Sequence, residues 1–155
     1  MKANIGLTDK SKAAVAVLLN LLLADEHILY TKTRNYHWNY EGDNFMEMHK
    51  FYEAQYDELA EMIDEIAERI RMLGHFPEGR LRDFVRLTRL TEQEYTTDQA
   101  EQLKNLLGDH ESIITNTRKA IEKTDKTYKD AGTTDFITGI MQQHEKMAWM
   151  IRSYL

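Results

Sequence analysis

Between Asn44 and Gly74 apolar residues recur at the three- and four-residue spacing of one long amphipathic helix. At about 100° per residue, Phe45, Met48, Phe51, Tyr52, Leu59, Met62, Ile63, Ile66, Ile70 and Leu73 fall on one arc, the predicted core face. Asn44 is placed to cap this helix, Glu47 to complete a capping box, and Gly74 to stop it. The opposite arc carries Glu53, Asp57, Glu61, Asp64 and Glu68. Between the arcs runs a narrow strip of His49, Tyr56, Ala60 and Ala67, whose small residues would let another helix approach closely.

The same periodicity predicts three more long helices. The first starts at Thr8 or Asp9 and runs to about Trp38, with Val15, Leu18, Leu19, Leu22 and Leu29 on its apolar side. The short turn 39–43 then makes an antiparallel hairpin with the helix described above. After the break at 75–79, residues 81–90 read as a small amphipathic helix within a long connection. Thr97 or Asp98 caps a third long helix to about Lys129, with Gly108 as the place where it would bend. Gly132 ends that region, and Thr134 or Asp135 starts a fourth long helix, packed by Met141, Met147 and Met150, that runs to the C-terminus.

A chain of 155 residues with one proline and seven glycines is an all-α domain's worth of sequence, residues 1–155 as one unit. Four long helices and a crossover bearing a short helix describe a ferritin-like four-helix bundle. The net charge of −6 counts against general affinity for nucleic acid. With no cysteine, a metal would have to sit on oxygen and imidazole ligands. The run 13–24 lacks a small-residue cleavage site and leads straight into a charged helical segment. It is also too short to span a bilayer, so the expected location is the cytoplasm.

Bundles of this kind hold metals with Glu-x-x-His motifs on facing helices. Here the residues three before the six histidines are Ala24, Arg34, Met46, Met72, Leu107 and Met141, so that intrachain centre is not available. The acidic stripe reads first as a solvated face. Two of its members, Asp64 and Glu68, lie one turn apart at the edge nearest the small-residue strip, and neither has a basic partner four residues on. His37 and His49 flank the first turn. His49 and Asp64 are 15 residues apart, roughly 22 Å along a helix, too far for one ion. Two copies of the helix, antiparallel about a two-fold axis near Tyr56 to Glu58, would bring His49 of one copy opposite Asp64 and Glu68 of the other.

At this point the residues carry a family resemblance. The segment NYHWNYEGDNFMEMHKFYEAQYDELAEMIDEIAERI resembles the signature of the Dps family, the mini-ferritins that protect bacterial DNA in starvation and oxidative stress. His37, His49, Asp64 and Glu68 match its two histidines and two carboxylates. The resemblance implies a hollow homododecamer with ferroxidase centres at its two-fold interfaces. Ferrous iron would be oxidised there, preferably by hydrogen peroxide, and stored as ferric mineral, with other divalent metals as competitors for the site. It also implies a role for Trp38 in quenching oxidising equivalents, against a hydrophobic anchor for the helix end. Asp130 and Asp135 become weak candidates for a three-fold cation pore, beside Asp125 and against plain capping roles.

His27, His110 and His144 are expected on polar faces, and His75 in a loop. The N-terminal tail carries one lysine and the shell multiplies the negative charge, so DNA binding is expected to be weak or absent. Two other readings compete: a nucleoid-associated protein with an incidental metal site, and a plain helical interaction module.

Overall fold

The computed structural model describes residues 3–155 and contains helices without any strand among them. The hydroxyl of Thr8 accepts from the Ser11 N–H at 3.1 Å and opens α1, Asp9–Asn39. By length and composition α1 is apolar enough to cross a membrane. Its Val15, Leu19, Leu22, Leu23 and Leu29 are instead buried against the other helices, which makes it a core helix of the bundle.

Phe45–Met72 forms α2. The capping box does not form: the Asn44 side chain makes no cap hydrogen bond and accepts from the Tyr40 hydroxyl. Glu47 accepts from the Tyr154 hydroxyl at 2.7 Å. A tyrosine hydroxyl has displaced the capping partner at each residue, from the preceding turn at Asn44 and from the far end of the chain at Glu47. The helix ends as expected at Gly74, whose φ of 87° is the left-handed turn that glycine adopts without strain. Most of the predicted core arc is buried, from Met48 through Leu73, but Phe51 and Ile63 are half-buried and Phe45 is exposed and stacked on His49.

The crossover carries α3, Leu81–Leu87, three residues shorter than expected. Asp25 of α1 ends it by accepting from the Thr88 hydroxyl, the Arg89 N–H and the Arg89 guanidinium at 3.0, 2.7 and 2.5 Å. These bonds pull residues 88 and 89 out of helical geometry. Asp25 is fully buried, so Asp25→Asn is expected to cost about 1.5–3 kcal/mol, the worth of charge-assisted bonds, measured by urea unfolding.

Asp98 caps α4, Gln99–Glu122, by accepting from the Glu101 N–H at 2.8 Å. Its irregularity lies at the π-helical turn Lys123–Thr127, well past Gly108. The chain reverses at Lys129, which takes a left-handed φ of 55°. Then α5, Ala131–Arg152, begins with Asp130 as its cap, four residues before the expected start. Gly132 does not end the preceding region. It sits in the first turn of α5, where a Cβ would come within 2.8 Å of the Arg69 guanidinium.

Cross-helix pairs fix the topology. Tyr30 and His37 of α1 meet Tyr56 and His49 of α2, Lys32 and Tyr36 pair with Asp109 and Asn105 of α4, and Arg118 and Glu111 meet Glu145 and Arg152 of α5. In each case one number rises as the other falls, so each pair of helices is antiparallel. It follows that α2 and α4 run parallel, as the long crossover requires.

Candidate metal centre

The end of α1 and the first turns of α2 meet at two histidines. The His37 Nδ1–H donates to the His49 carbonyl at 2.7 Å, and the His49 Nδ1–H donates to the His37 carbonyl at 2.9 Å. A carbonyl only accepts, so both rings are held as the Nδ1–H tautomer when neutral. The rings stack with centroids 3.6 Å apart and an interplanar angle of 19°. Tyr56 stands edge-on to His37 at 5.2 Å, and Phe45 lies on His49 at 5.1 Å. Both Nε2 lone pairs are thereby left for an external partner. Metal-ligating imidazoles are oriented in this way, by donating the other ring N–H to a backbone carbonyl.

Asp64 and Glu68 are exposed on α2 and take part in no hydrogen bond or ion pair among the described residues. Ala60 is exposed and Ala67 half-buried beside them. A single chain does not bring these acids to the histidines: among the described residues no group of three His, Asp or Glu side chains is placed to hold a metal ion. Trp38 is 61% exposed, so within the chain it is not a buried anchor for the helix end. Its ring is covered by the Arg34 guanidinium at 5.0 Å, which also lies over Tyr56 at 5.2 Å.

Of the pore candidates, Asp135 is exposed and Asp130 is buried. Both oxygens of Asp130 are engaged, accepting from the Thr133 N–H and hydroxyl and from the Arg69 guanidinium at 3.0, 2.5 and 3.3 Å. Asp125, in the π-helical turn, is exposed.

Three histidines are not where the sequence puts them. His27 stacks on Phe84 at 3.8 Å, and its burial lowers its pKa. His110 and His144 are fully buried and bonded to each other, Nδ1 to Nδ1, at 2.9 Å. His144 Nε2 lies 2.8 Å from Glu26 Oε1, also fully buried. A signal for this cluster exists: His110 continues the stripe Leu103, Leu106, Ile113, and His144 the stripe Ile137, Ile140, Met147.

A family model described as a ferritin-like domain matches residues 16–155. A DNA protection during starvation protein from Porphyromonas gingivalis is 36% identical over 149 residues, covering 96% of this chain and 93% of the relative. An uncharacterized low temperature-induced protein from Nostoc is 42% identical over 155 residues, covering 99% and 87%. Among solved structures, the Dps protein of Vibrio cholerae O1, described as a member of a superfamily of ferritin-like diiron-carboxylate proteins, aligns with a TM-score of 0.94 at 29% identity over 99% of this chain and 96% of that one. Mycobacterium smegmatis Dps aligns with a TM-score of 0.92 at 30% identity over 100% and 93%. The likeness thus spans both helix hairpins and the crossover between them.

Proposed function

Because the chain belongs to the Dps family of ferritin-like proteins, we propose that it is a ferroxidase mini-ferritin whose catalytic centres are completed only between subunits. The observation that carries this reading is the histidine pair, with both Nδ1 atoms tied to backbone carbonyls and both Nε2 atoms left free. In the two-fold arrangement, His37 and His49 supply neutral imidazoles, while Asp64 and Glu68 of the mate supply negative charge. That charge favours ferric over ferrous ion and draws the cationic substrate to the interface. Two ferrous ions give one electron each to hydrogen peroxide. Its O–O bond breaks, and two protons complete two molecules of water. Ferric product is stored as mineral inside a homododecameric shell, with Asp135 as a candidate for guiding cations inward. Trp38, next in sequence to His37 and exposed, takes up oxidising equivalents in place of more valuable groups. The working location is the cytoplasm.

The test is stopped-flow absorbance after anaerobic ferrous loading, with peroxide or air added, on wild type and a His37→Ala/Asp64→Ala variant. Fast oxidation by peroxide, slower oxidation by air and loss of both in the variant are expected. Equal slow rates in the two proteins would remove the ferroxidase reading.

A second reading takes its support from the names of relatives such as the Porphyromonas protein: DNA protection by direct binding, with the metal site incidental. The net charge of −6 per chain opposes it. A gel-shift series at low and moderate salt separates the two, with weak or no retardation expected.

A further inference from the structure

At the centre of the bundle Glu26, His144 and His110 lie in series, one each from α1, α5 and α4, and all are fully buried. Their separations, 2.8 Å from Glu26 Oε1 to His144 Nε2 and 2.9 Å between the two Nδ1 atoms, are those of hydrogen bonds with a proton in each. Both ends of the series are open: Glu26 Oε2 and His110 Nε2 are buried without a partner.

Two proton arrangements satisfy these distances. In the first, Glu26 is ionised and accepts from His144 Nε2–H, while His110 Nδ1–H donates to His144. The series then carries one net negative charge and ends in a bare lone pair at His110 Nε2. In the second, one more proton has entered. His144 Nδ1–H now donates to His110 Nδ1, and the proton of His110 moves to Nε2. The net charge is zero, whether Glu26 or His144 formally holds the extra proton.

The surroundings favour the second arrangement. An uncompensated buried charge is far more costly than one missing hydrogen bond. The cations of neighbouring elements are already paired, Lys32 with Asp109 and Arg89 with Asp25. On α3 the buried acid Asp83 is paired with Arg80 and Arg86. On α2 the Tyr52 hydroxyl donates to Gln102, and the buried Gln55 has amide atoms that both lack partners. Gln55 lies six residues beyond His49, and Thr31 lies six before His37, so the two are level across the α1–α2 hairpin. His110 follows Asp109, the partner of Lys32, and falls at about the same level. His110 Nε2 and the Gln55 amide are nonetheless both without hydrogen-bond partners, and Gln55 brings no charge to the series.

We propose that Glu26, His144 and His110 form an interior proton relay that holds one extra proton in the folded protein. Burial and the neighbouring His144 hold the pKa of His110 well below the ordinary histidine range, so the relay takes one extra proton and refuses a second. A metal ion in place of the proton is disfavoured by the hydrogen-bond separations and by the lack of a convergent donor set among the described residues.

The sign of the pH dependence follows. A proton held by the folded relay and given up on unfolding makes the folded state lose stability as pH rises. Urea unfolding of the assembled protein from about pH 6.5 to about pH 9, on wild type and Glu26→Gln, reads this directly. The ratio of wild-type to variant folding constants should fall by up to about tenfold per pH unit, and a constant ratio would overturn the relay. Should Glu26→Gln not fold, nitrogen-15 NMR of histidine-labelled wild type gives the same decision. A proton on His110 Nε2 at neutral pH is expected, and a bare Nε2 with Nδ1–H would refute it. Zinc-dependent stabilisation that persists in a His37→Ala/Asp64→Ala background would also refute it, by making the cluster a metal site.

Discussion

Two inactive variants are expected to restore each other. One carries His37→Ala and His49→Ala, the other Asp64→Ala and Glu68→Ala. Alone, each should lose peroxide-driven ferrous oxidation by more than the roughly 10–100-fold that follows loss of groups merely supporting a metal ligand. When equal amounts are unfolded together and reassembled, each centre draws its histidines from one chain and its carboxylates from another. The histidine donor is intact half the time and the acid donor half the time, so about one quarter of the centres are whole under two-fold symmetry. Stopped-flow rates near a quarter of wild type would identify a shared site. A mixture as inactive as its parents would mean that the four residues do not meet between chains. The case for this result is geometric: within the chain Asp64 and Glu68 stand about 22 and 28 Å along α2 from His49, while both histidines keep their Nε2 atoms free.

The second large effect concerns stability. Lys32 and Asp109 form a buried ion pair at 2.5 Å, with side chains 5% and 8% exposed. Lys32 also donates to the Thr91 carbonyl at 2.7 Å and so ties the crossover to the bundle. Burial raises the pKa of Asp109, and the Lys32 ammonium opposes that shift. Asp109→Leu strands the ammonium among apolar groups and is expected to cost about 3–5 kcal/mol. Lys32→Met/Asp109→Leu removes both charges and should recover most of that loss, because two desolvation penalties disappear with the pair. Urea midpoints of the four proteins in the cycle provide the check. A double variant as unstable as Asp109→Leu would place the stabilisation in the Thr91 tie instead of the charge pair.

The helices themselves were legible because their causes are local. Thr8 and Asp98 cap α1 and α4 through bonds three residues away, and Gly74 ends α2 by its own left-handed backbone. The apolar period that puts Leu59, Met62, Ile66 and Ile70 in the core needs only the helical repeat. His37 and His49 were legible too, because a hairpin with a short turn brings residues on either side of it together. The failures have one form. Asn44 and Glu47 have the composition of a capping box, yet Tyr40 and Tyr154 outcompete the local bonds. Asp135 has the composition of a cap, yet Asp130 takes that role because Arg69 and Thr133 converge on it.

By itself, then, the sequence determined the number of helices, most of their ends and the crossover, since periodicity, caps and spacing act within a few turns, and it nominated four residues for the candidate centre. Tertiary structure decided which polar groups go inside. His110 and His144 are 34 residues apart and Glu26 a further 118 from His144, so no local pattern states that they meet. A buried polar residue is tolerated only when a distant chain segment supplies its partner, and that partner exists only once the bundle has formed.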